Sequence, residues 1–475
     1  MYSTQNKCQN REKPVGIKEF SQMYNSFTNF NNMKEYIQKN WIEPKKQKVS
    51  TNTDSIVEKR LKNSHYTNTF EAVINTLQYI MFRHKKGIYV CFRNNKLKHY
   101  INFINNFKDW KNPYANYLEL EDGVKEKIQH YFEEEKKQKE DIPNDAEILF
   151  QNKSKWYVMN NLIHGVFKID SNTKETPFVE PDFGYYCFLE LFQKLEKTYR
   201  VPDIDFFLIT HDHVILHKDL QDPFPHITNK KLSHLENKYF APILNNCTIK
   251  DFLDIPIPTQ DDIARTLKIF APPNCENPYR NNSYYHNWDT KISKAVFRGT
   301  ATGYGWTPED NKRIRLVYKN YSNVDAKLTG EDNIRFKLNS KGKVDYIPIS
   351  KYDIDQSDEH KLILEEQSQY KYVIHIEGNV ASFRLASLFA MKSVVIIVKS
   401  KYILWFEKLL RHKENCFIVN TIDEIYNAVK WLQKNDIKAK QIAENGYELY
   451  KNHFQLKNIK KNTINTLKLI HKYCV

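Results

Sequence analysis

In the second half of the chain, short apolar runs alternate with segments of helical spacing, and no other feature of the sequence limits the fold as much. Ala295 to Phe297, Tyr372 to Ile376, Ser393 to Val398 and Cys416 to Val419 read as strands. Helical spacing begins near Asn311, runs from Ala381 to Ala390 and returns from Asp423 to Gln433. Val394-Val-Ile-Ile-Val398 has no polar position, the pattern of a strand covered on both faces. Strands separated by helices build βαβ units around a parallel sheet.

The first half repeats this less cleanly. Strands are expected at 87–92, 155–159 and 204–209, and helices at 70–84, 121–141 and 184–198. Residues 219–290 are rich in Pro and Asn and read as a long loop between domains. The expected fold is α/β, with two doubly wound parallel-sheet lobes, a cleft between them and an α-rich N-terminal extension. The expected boundaries are an extension over 1–120, partly disordered or capping, one lobe over 121–285 and a second over 286–475. The last helices are expected to pack back on the first lobe. Ligands of such folds bind at the carboxyl ends of the strands.

Composition removes several classes. The 475 residues suffice for two or three domains, and 41% hydrophobic residues make the chain globular. No apolar run approaches the roughly 18 residues of a membrane span, and the N-terminus has no signal-peptide core. The seven Cys residues form no CxxC pair, which argues against a disulfide scaffold or structural zinc. A soluble cytoplasmic protein with reduced thiols is expected. The net charge of +15 invites a nucleic-acid reading, but only 13 of the 72 basic residues are Arg and the Lys residues are spread over many helix faces. No zinc finger, RNP motif or basic helix supports that reading, so no nucleic-acid partner is expected.

Scarce Arg makes clustered Arg informative. Arg298-Gly299-Thr300-Ala301-Thr302-Gly303 follows a strand and is itself followed by Arg313. Gly378-Asn-Val-Ala381-Ser382-Phe383-Arg384 lies between a strand and an apolar helix. Gly admits a close backbone approach, amides and hydroxyls donate, and guanidinium groups grip phosphate bidentately. Neither turn is a Walker A loop or a GxGxxG fingerprint. Two such turns in one lobe point to a diphosphate site formed by Arg298, Gly299, Thr300, Thr302, Arg313, Gly378, Ala381, Ser382, Phe383 and Arg384. Each turn taken alone also reads as an ordinary strand–helix connection.

Phe297-Arg-Gly-Thr preceded by Trp288-Asp-Thr-Lys291, then Val324-Asp-Ala326, Gln369 to Tyr372 and Gly378 to Arg384, together resemble glycosyltransferase family 90. Val201-Pro-Asp-Ile-Asp-Phe-Phe207, Asp222-Pro-Phe224, Phe252 to Pro258, Ser400-Lys-Tyr402 and Ile442 to Asn445 extend the resemblance over roughly residues 155–455. The family comprises protein O-glucosyltransferases and capsule xylosyltransferases. The resemblance implies a GT-B fold, a UDP-sugar donor, inversion at the anomeric carbon, and a hydroxyl acceptor on a protein or glycan. It implies the donor in the C-terminal lobe and the acceptor in the N-terminal lobe, and it fits a cytosolic viral branch of the family. The alternatives are a non-catalytic member that binds a nucleotide or glycan and, less so, a basic nucleic-acid binder.

The family's catalytic base lies upstream of the Pro-Asp strand. Asp182 and Asp170 are the candidates here, and Asp212 is a third carboxylate expected near the anomeric carbon. The sequence departs from the family at His164, where Arg is usual, at Thr210-His211-Asp212, and at Leu410 to Cys416. Asp203-Ile-Asp205 and Asp353-Ile-Asp355 match the Asp-x-Asp metal pattern, and His211, His213 and His217 could ligate zinc. Arg charge can stabilise departing UDP without a metal, so no metal or other cofactor is expected.

Overall fold

The computed structural model describes residues 27–51, 56–62, 64–84, 86–104, 155–159, 162–166, 183–210, 214–220, 238–267, 286–303, 307–330, 336–338, 344–345 and 349–475. Strands β1 (Lys86–Arg93) and β2 (Lys96–Ile104) form a hairpin. Its Asn94 and Asn95 both take positive φ, the left-handed geometry that Asn tolerates better than most residues. After β3 (Lys155–Met159) and β4 (Leu162–Val166) come β5 (Ile204–Ile209), β6 (Ile243–Asn245) and β7 (Ile255–Pro256). The first lobe has the order β2-β1-β5-β6-β7; β1 runs antiparallel to both β2 and β5, while β5, β6 and β7 are parallel.

Two expectations change here. The boundary at residue 120 does not divide this sheet, because β1 and β2 lie before it and β5 to β7 after it. Met33, Leu61, Val73 and Leu77 of the preceding helices join the same core. The stretch 219–290 is not simply a linker: residues 243–267 supply two strands and the helix Gln260–Leu267. Asp254 keys that region, accepting from the Ile215 and Leu216 amides and from Asn245 Nδ2 at 2.8 Å. Pro256, which has no N–H to donate, stands in a two-residue edge strand, where a sheet tolerates it.

The second lobe is built from β8 (Ile292–Gly299), β9 (Val324–Leu328), β12 (Tyr370–His375), β13 (Val394–Val398) and β14 (Phe417–Val419). Between β9 and β12, β10 (Phe336–Leu338) and β11 (Val344–Asp345) leave the lobe to join β4 and β3 in a separate antiparallel sheet. The main sheet is wholly parallel, in the order β14-β13-β12-β8-β9. Side chains alternate between its faces. Phe297, Ile374 and Ile396 enter one core, and Val296, Val373 and Val395 the other.

That second core also takes Val214, Cys247 and Phe252 from the first lobe. Thr248 and Ile403 exchange two backbone bonds across the boundary. Trp405 donates to Asp262 at 2.9 Å, and Arg265 donates to the Phe454 carbonyl at 2.9 Å. Beyond Phe454, the helix Leu456–Cys474 returns to the first lobe, burying Ile459, Leu467 and Ile470 in its core. The chain is mixed α/β with a parallel-sheet region in each lobe. No helix among the described residues is long and apolar enough to cross a membrane.

Candidate functional site

From β8 the chain passes to β9 on one side, and β12 then lies on the other side of β8. The direction of winding reverses between β8 and β12, and the crevice outside the carboxyl ends of such a strand pair is where α/β sheets bind ligands. Both Arg-bearing turns stand there, one after β8 and one after β12.

Arg313 holds the two turns together. Asn311 caps the helix Lys312–Lys319, accepting from the Arg313 and Ile314 amides at 2.9 and 3.0 Å, and so fixes where Arg313 starts. The Arg313 guanidinium then donates to the Thr300 carbonyl at 3.0 Å and Thr302 Oγ1 at 2.7 Å on one turn. It donates to the Ile376 carbonyl at 3.1 Å and the Glu377 carbonyl at 2.8 Å on the other. It was expected to face phosphate; four of its five N–H donors go to these oxygens, so it positions the two turns that line the crevice. Gly378 fits the same packing closely, since a Cβ there would lie 3.3 Å from both Arg313 Nη2 and Thr302 Oγ1. Gly303 has φ +121°, a backbone that other residues rarely adopt, and its amide donates to Asn379 Oδ1 at 3.3 Å.

Surrounding contacts lock the second turn. Lys312 Nζ bonds Glu377 Oε1 at 2.8 Å, Ser400 Oγ donates to the other Glu377 oxygen, and Tyr402 OH donates to the Asn379 carbonyl at 2.9 Å.

Arg298 is not aimed outward. Its Nη2 pairs with Asp325 Oδ2 at 2.9 Å, and its Nη1 bonds the Asp325 and Phe297 carbonyls at 2.9 Å each. Tyr370 OH donates to the same Asp325 oxygen. Burial alone would raise the Asp325 pKa, but these two donors outweigh it and hold the carboxyl below its ordinary value. Burial and that bond push Tyr370 up to about 12. The Arg298 charge is thus balanced within the sheet.

The Arg384 guanidinium carbon lies 5.7 Å from the Phe297 ring centre, and the side chain is half-buried. The helix after it spans only Leu385–Phe389, not Ala381 to Ala390 as the apolar spacing suggested. The Gly378 amide bonds the Val380 carbonyl and Tyr402 holds Asn379, so Ala381, Ser382 and Phe383 remain in the loop and Arg384 occupies the cap position. Gly299, Thr300, Thr302, Ser382 and Phe383 are half-buried around the same crevice.

His375, the last residue of β12, was missed as a site group; its only sequence signal is a polar residue ending an apolar strand. It is 5% exposed, and its Nδ1 is buried without a partner. Burial, then the charges of Arg384 and Arg313, press its pKa to about 3, so the ring is neutral near pH 7. A buried neutral ring beside two guanidinium groups leaves the net local charge positive, which suits an anion.

Of the two Asp-x-Asp pairs, Asp203 and Asp205 are bound within the fold. Asp205 is fully buried and pairs with Arg93 and with Tyr89 OH at 2.7 Å; Asp203 accepts from the Asn94 amide at 2.8 Å. Both lie at the amino end of β5, opposite the carboxyl ends of β5, β6 and β7. Asp355 pairs with His360 at 3.2 Å, and Asp353 sits in a left-handed turn at φ +54°. His217 packs edge-on against Phe252, while His211 and His213 lie outside the described residues. No group of three His, Cys, Asp or Glu residues able to hold a metal occurs among the described residues. Asp170, Asp182 and Asp212 also lie outside the described residues.

The model of glycosyl transferase family 90 matches residues 184–474, and the chain belongs to that family. It is 26% identical over 425 residues to the uncharacterized protein 035R of Invertebrate iridescent virus 3, covering 85% of this chain and 37% of that protein. It is 31% identical over 173 residues to protein O-glucosyltransferase 1 of Homo sapiens, covering 36% of this chain and 40% of that enzyme. The chain thus spans well under half the length of these relatives. A crystal structure of Anabaena HepE with UDP-glucose aligns over 49% of this chain and 64% of its own, at 14% identity and a TM-score of 0.27.

Proposed function

We propose that this chain transfers glucose or xylose from a UDP-sugar to a hydroxyl of a protein or glycan, with inversion and without a metal. The observation that carries the reading is the Arg313 tie between the turns after β8 and β12, beside Arg384, in a member of family 90. The diphosphate sits in that crevice, with Arg384, the loop amides of Ala381 to Phe383 and the Thr300 and Thr302 hydroxyls as its partners. Asp182 serves as the base, with Asp170 and Asp212 as the other carboxylates to test. The base takes the proton of the acceptor hydroxyl, and the oxygen bonds to the anomeric carbon. The bond from that carbon to the UDP oxygen breaks, and UDP leaves with the electron pair. A reducing, cytoplasmic setting is supported by five described cysteines, Cys91, Cys187, Cys247, Cys416 and Cys474, all buried thiols.

The test is a thermal-shift and UDP-release panel across UDP-sugars, repeated with EDTA. UDP and one UDP-sugar should raise the melting temperature at millimolar levels, with release insensitive to EDTA. Absence of any shift removes the donor site. A second reading, nucleotide binding without transfer, is favoured by the pairing of Arg298 with Asp325, which spends one expected cation. Single-turnover assays separate the two: bound UDP-sugar that is neither transferred nor hydrolysed supports the second.

A further inference from the structure

Two hairpins, one inserted in the sequence of each lobe, leave the main sheets and pair with each other. β3 and β4 stand between β2 and β5 in the chain, yet neither joins the first-lobe sheet. β10 and β11 stand between β9 and β12, yet neither joins the second-lobe sheet. Among the described residues, the further strand partner of each hairpin is the other: Phe336 faces Ile163, and Lys337 faces Leu162.

The β10–β11 hairpin is rooted at the crevice beside β8. Leu328, the last residue of β9, is buried and bridges to Gln356 on the returning chain. His360 Nδ1 donates to the Leu328 carbonyl at 2.9 Å, and Gln356 Nε2 donates to the Thr329 carbonyl at 3.3 Å. Ile349 and Ile354 enter the second-lobe core. The Thr329 amide donates to the Gly299 carbonyl at 3.0 Å. Gly330, at φ +93°, passes so close to Thr300 that a Cβ would lie 2.9 Å from Thr300 Cγ2. Thr300 carries one of the hydroxyls assigned to the diphosphate, so the root of the hairpin is fixed to the turn that the diphosphate touches.

The far end is held less firmly. Five residue pairs join β3 to β4, but two join β10 to β4. Short pairings open locally at low free energy, so the joint between the hairpins is where this sheet parts first. Asp170 and Asp182 lie in the chain between Val166 of β4 and Phe183. Closing the joint therefore fixes the strand from which the stretch carrying both carboxylates departs.

We infer that the β10–β11 hairpin is a strap: a diphosphate in the crevice between β8 and β12 favours its pairing with β4, and the closed strap sets β4 where transfer needs it. This rests on the transferase reading. Such coupling is reciprocal, so opening the strap weakens diphosphate binding by the factor by which the diphosphate closes it.

The test is hydrogen exchange read by mass spectrometry on the full chain, with and without UDP, in the parent and in Lys337→Pro. Lys337 is paired on both sides, with Leu162 and Asp345, and proline cannot donate to a ladder. UDP should slow exchange over 162–163 and 336–338 about fivefold in the parent. In the variant that slowing should vanish, while β12 and β13 stay as protected as in the parent. UDP affinity should fall by about the same fivefold. Release of UDP from a saturating UDP-sugar should fall further, at least about tenfold, because β4 is no longer held in place. If Lys337→Pro leaves β12 and β13 unprotected, a Gly-Ser segment of equal length replacing 336–345 takes its place. UDP that binds the parent without slowing exchange at β4 and β10 overturns the strap and leaves the donor reading intact. So does a variant whose UDP release is undiminished. No UDP binding to the parent overturns the donor reading, and the strap with it.

Discussion

Arg313 Nε donates to the Glu377 carbonyl at 2.8 Å, so a residue on the helix after β8 holds the turn after β12. The crevice between these strands is shaped by a cation bound to main-chain oxygens, not by one left facing solvent. A buried guanidinium with several such bonds is costly to shorten, because its acceptors are left unpaired.

Arg313→Met should therefore destabilise the chain by about 2–4 kcal/mol in urea unfolding and abolish UDP binding together. Arg313→Lys, which reaches fewer of the four oxygens, should fall between. Loss of UDP binding with unchanged stability would mean that Arg313 touches the ligand instead of the turns.

Gly303→Ala places a side chain on a backbone at φ +121°. The expected cost is about 1–2 kcal/mol, read as a lower urea midpoint with unchanged slope. Gly378→Ala should instead weaken UDP affinity more than stability, because its Cβ presses on Arg313 Nη2 and Thr302 Oγ1.

His375 sets a pH dependence. In the fold its pKa is near 3, and burial is the main cause; in the unfolded chain it is near 6.5. Between those values the unfolded chain binds a proton that the folded chain does not, so stability falls as pH drops from 6.5 toward 3. The slope is at most about 1.4 kcal/mol per pH unit. His375→Asn should flatten this fall relative to the parent chain. Parallel pH profiles would contradict the placement of a neutral buried ring.

Asp205→Asn leaves Arg93 buried without its counter-charge and should cost about 3–5 kcal/mol. Added divalent metal should not restore it. Restoration by metal would revive Asp203 and Asp205 as ligands.

The parallel sheet of the second lobe was legible because Val394 to Val398 and its neighbours are continuous apolar runs, which only a doubly covered strand requires. The hairpin β1–β2 was half legible: Gly87 to Phe92 reads as a strand, but its membership in the sheet of β5 depends on pairing across more than 100 residues, which no local pattern carries. Strands β10 and β11 are two or three residues long, too short for periodicity to register. At the site, the two Arg-bearing turns were visible as motifs, but the division of labour was not. Arg298, Arg313 and Arg384 look alike in sequence. Asp325 and four oxygens decide that the first two are bound inward, and those partners lie in other strands and turns. The late start of the helix at Leu385 goes with Tyr402 holding Asn379, another non-local contact.

The central claim is that the crevice between β8 and β12 binds the diphosphate of UDP through Arg384. Isothermal titration of UDP into the full chain and into Arg384→Ala, with matched urea unfolding, tests it most directly. The account predicts saturable one-to-one binding that weakens at least about a hundredfold in the variant, since a charge-assisted contact is worth about 1.5–3 kcal/mol and phosphate takes more than one. Stability should stay within about 1 kcal/mol. Equal UDP affinity in the two proteins, or no binding to the parent chain, would contradict it.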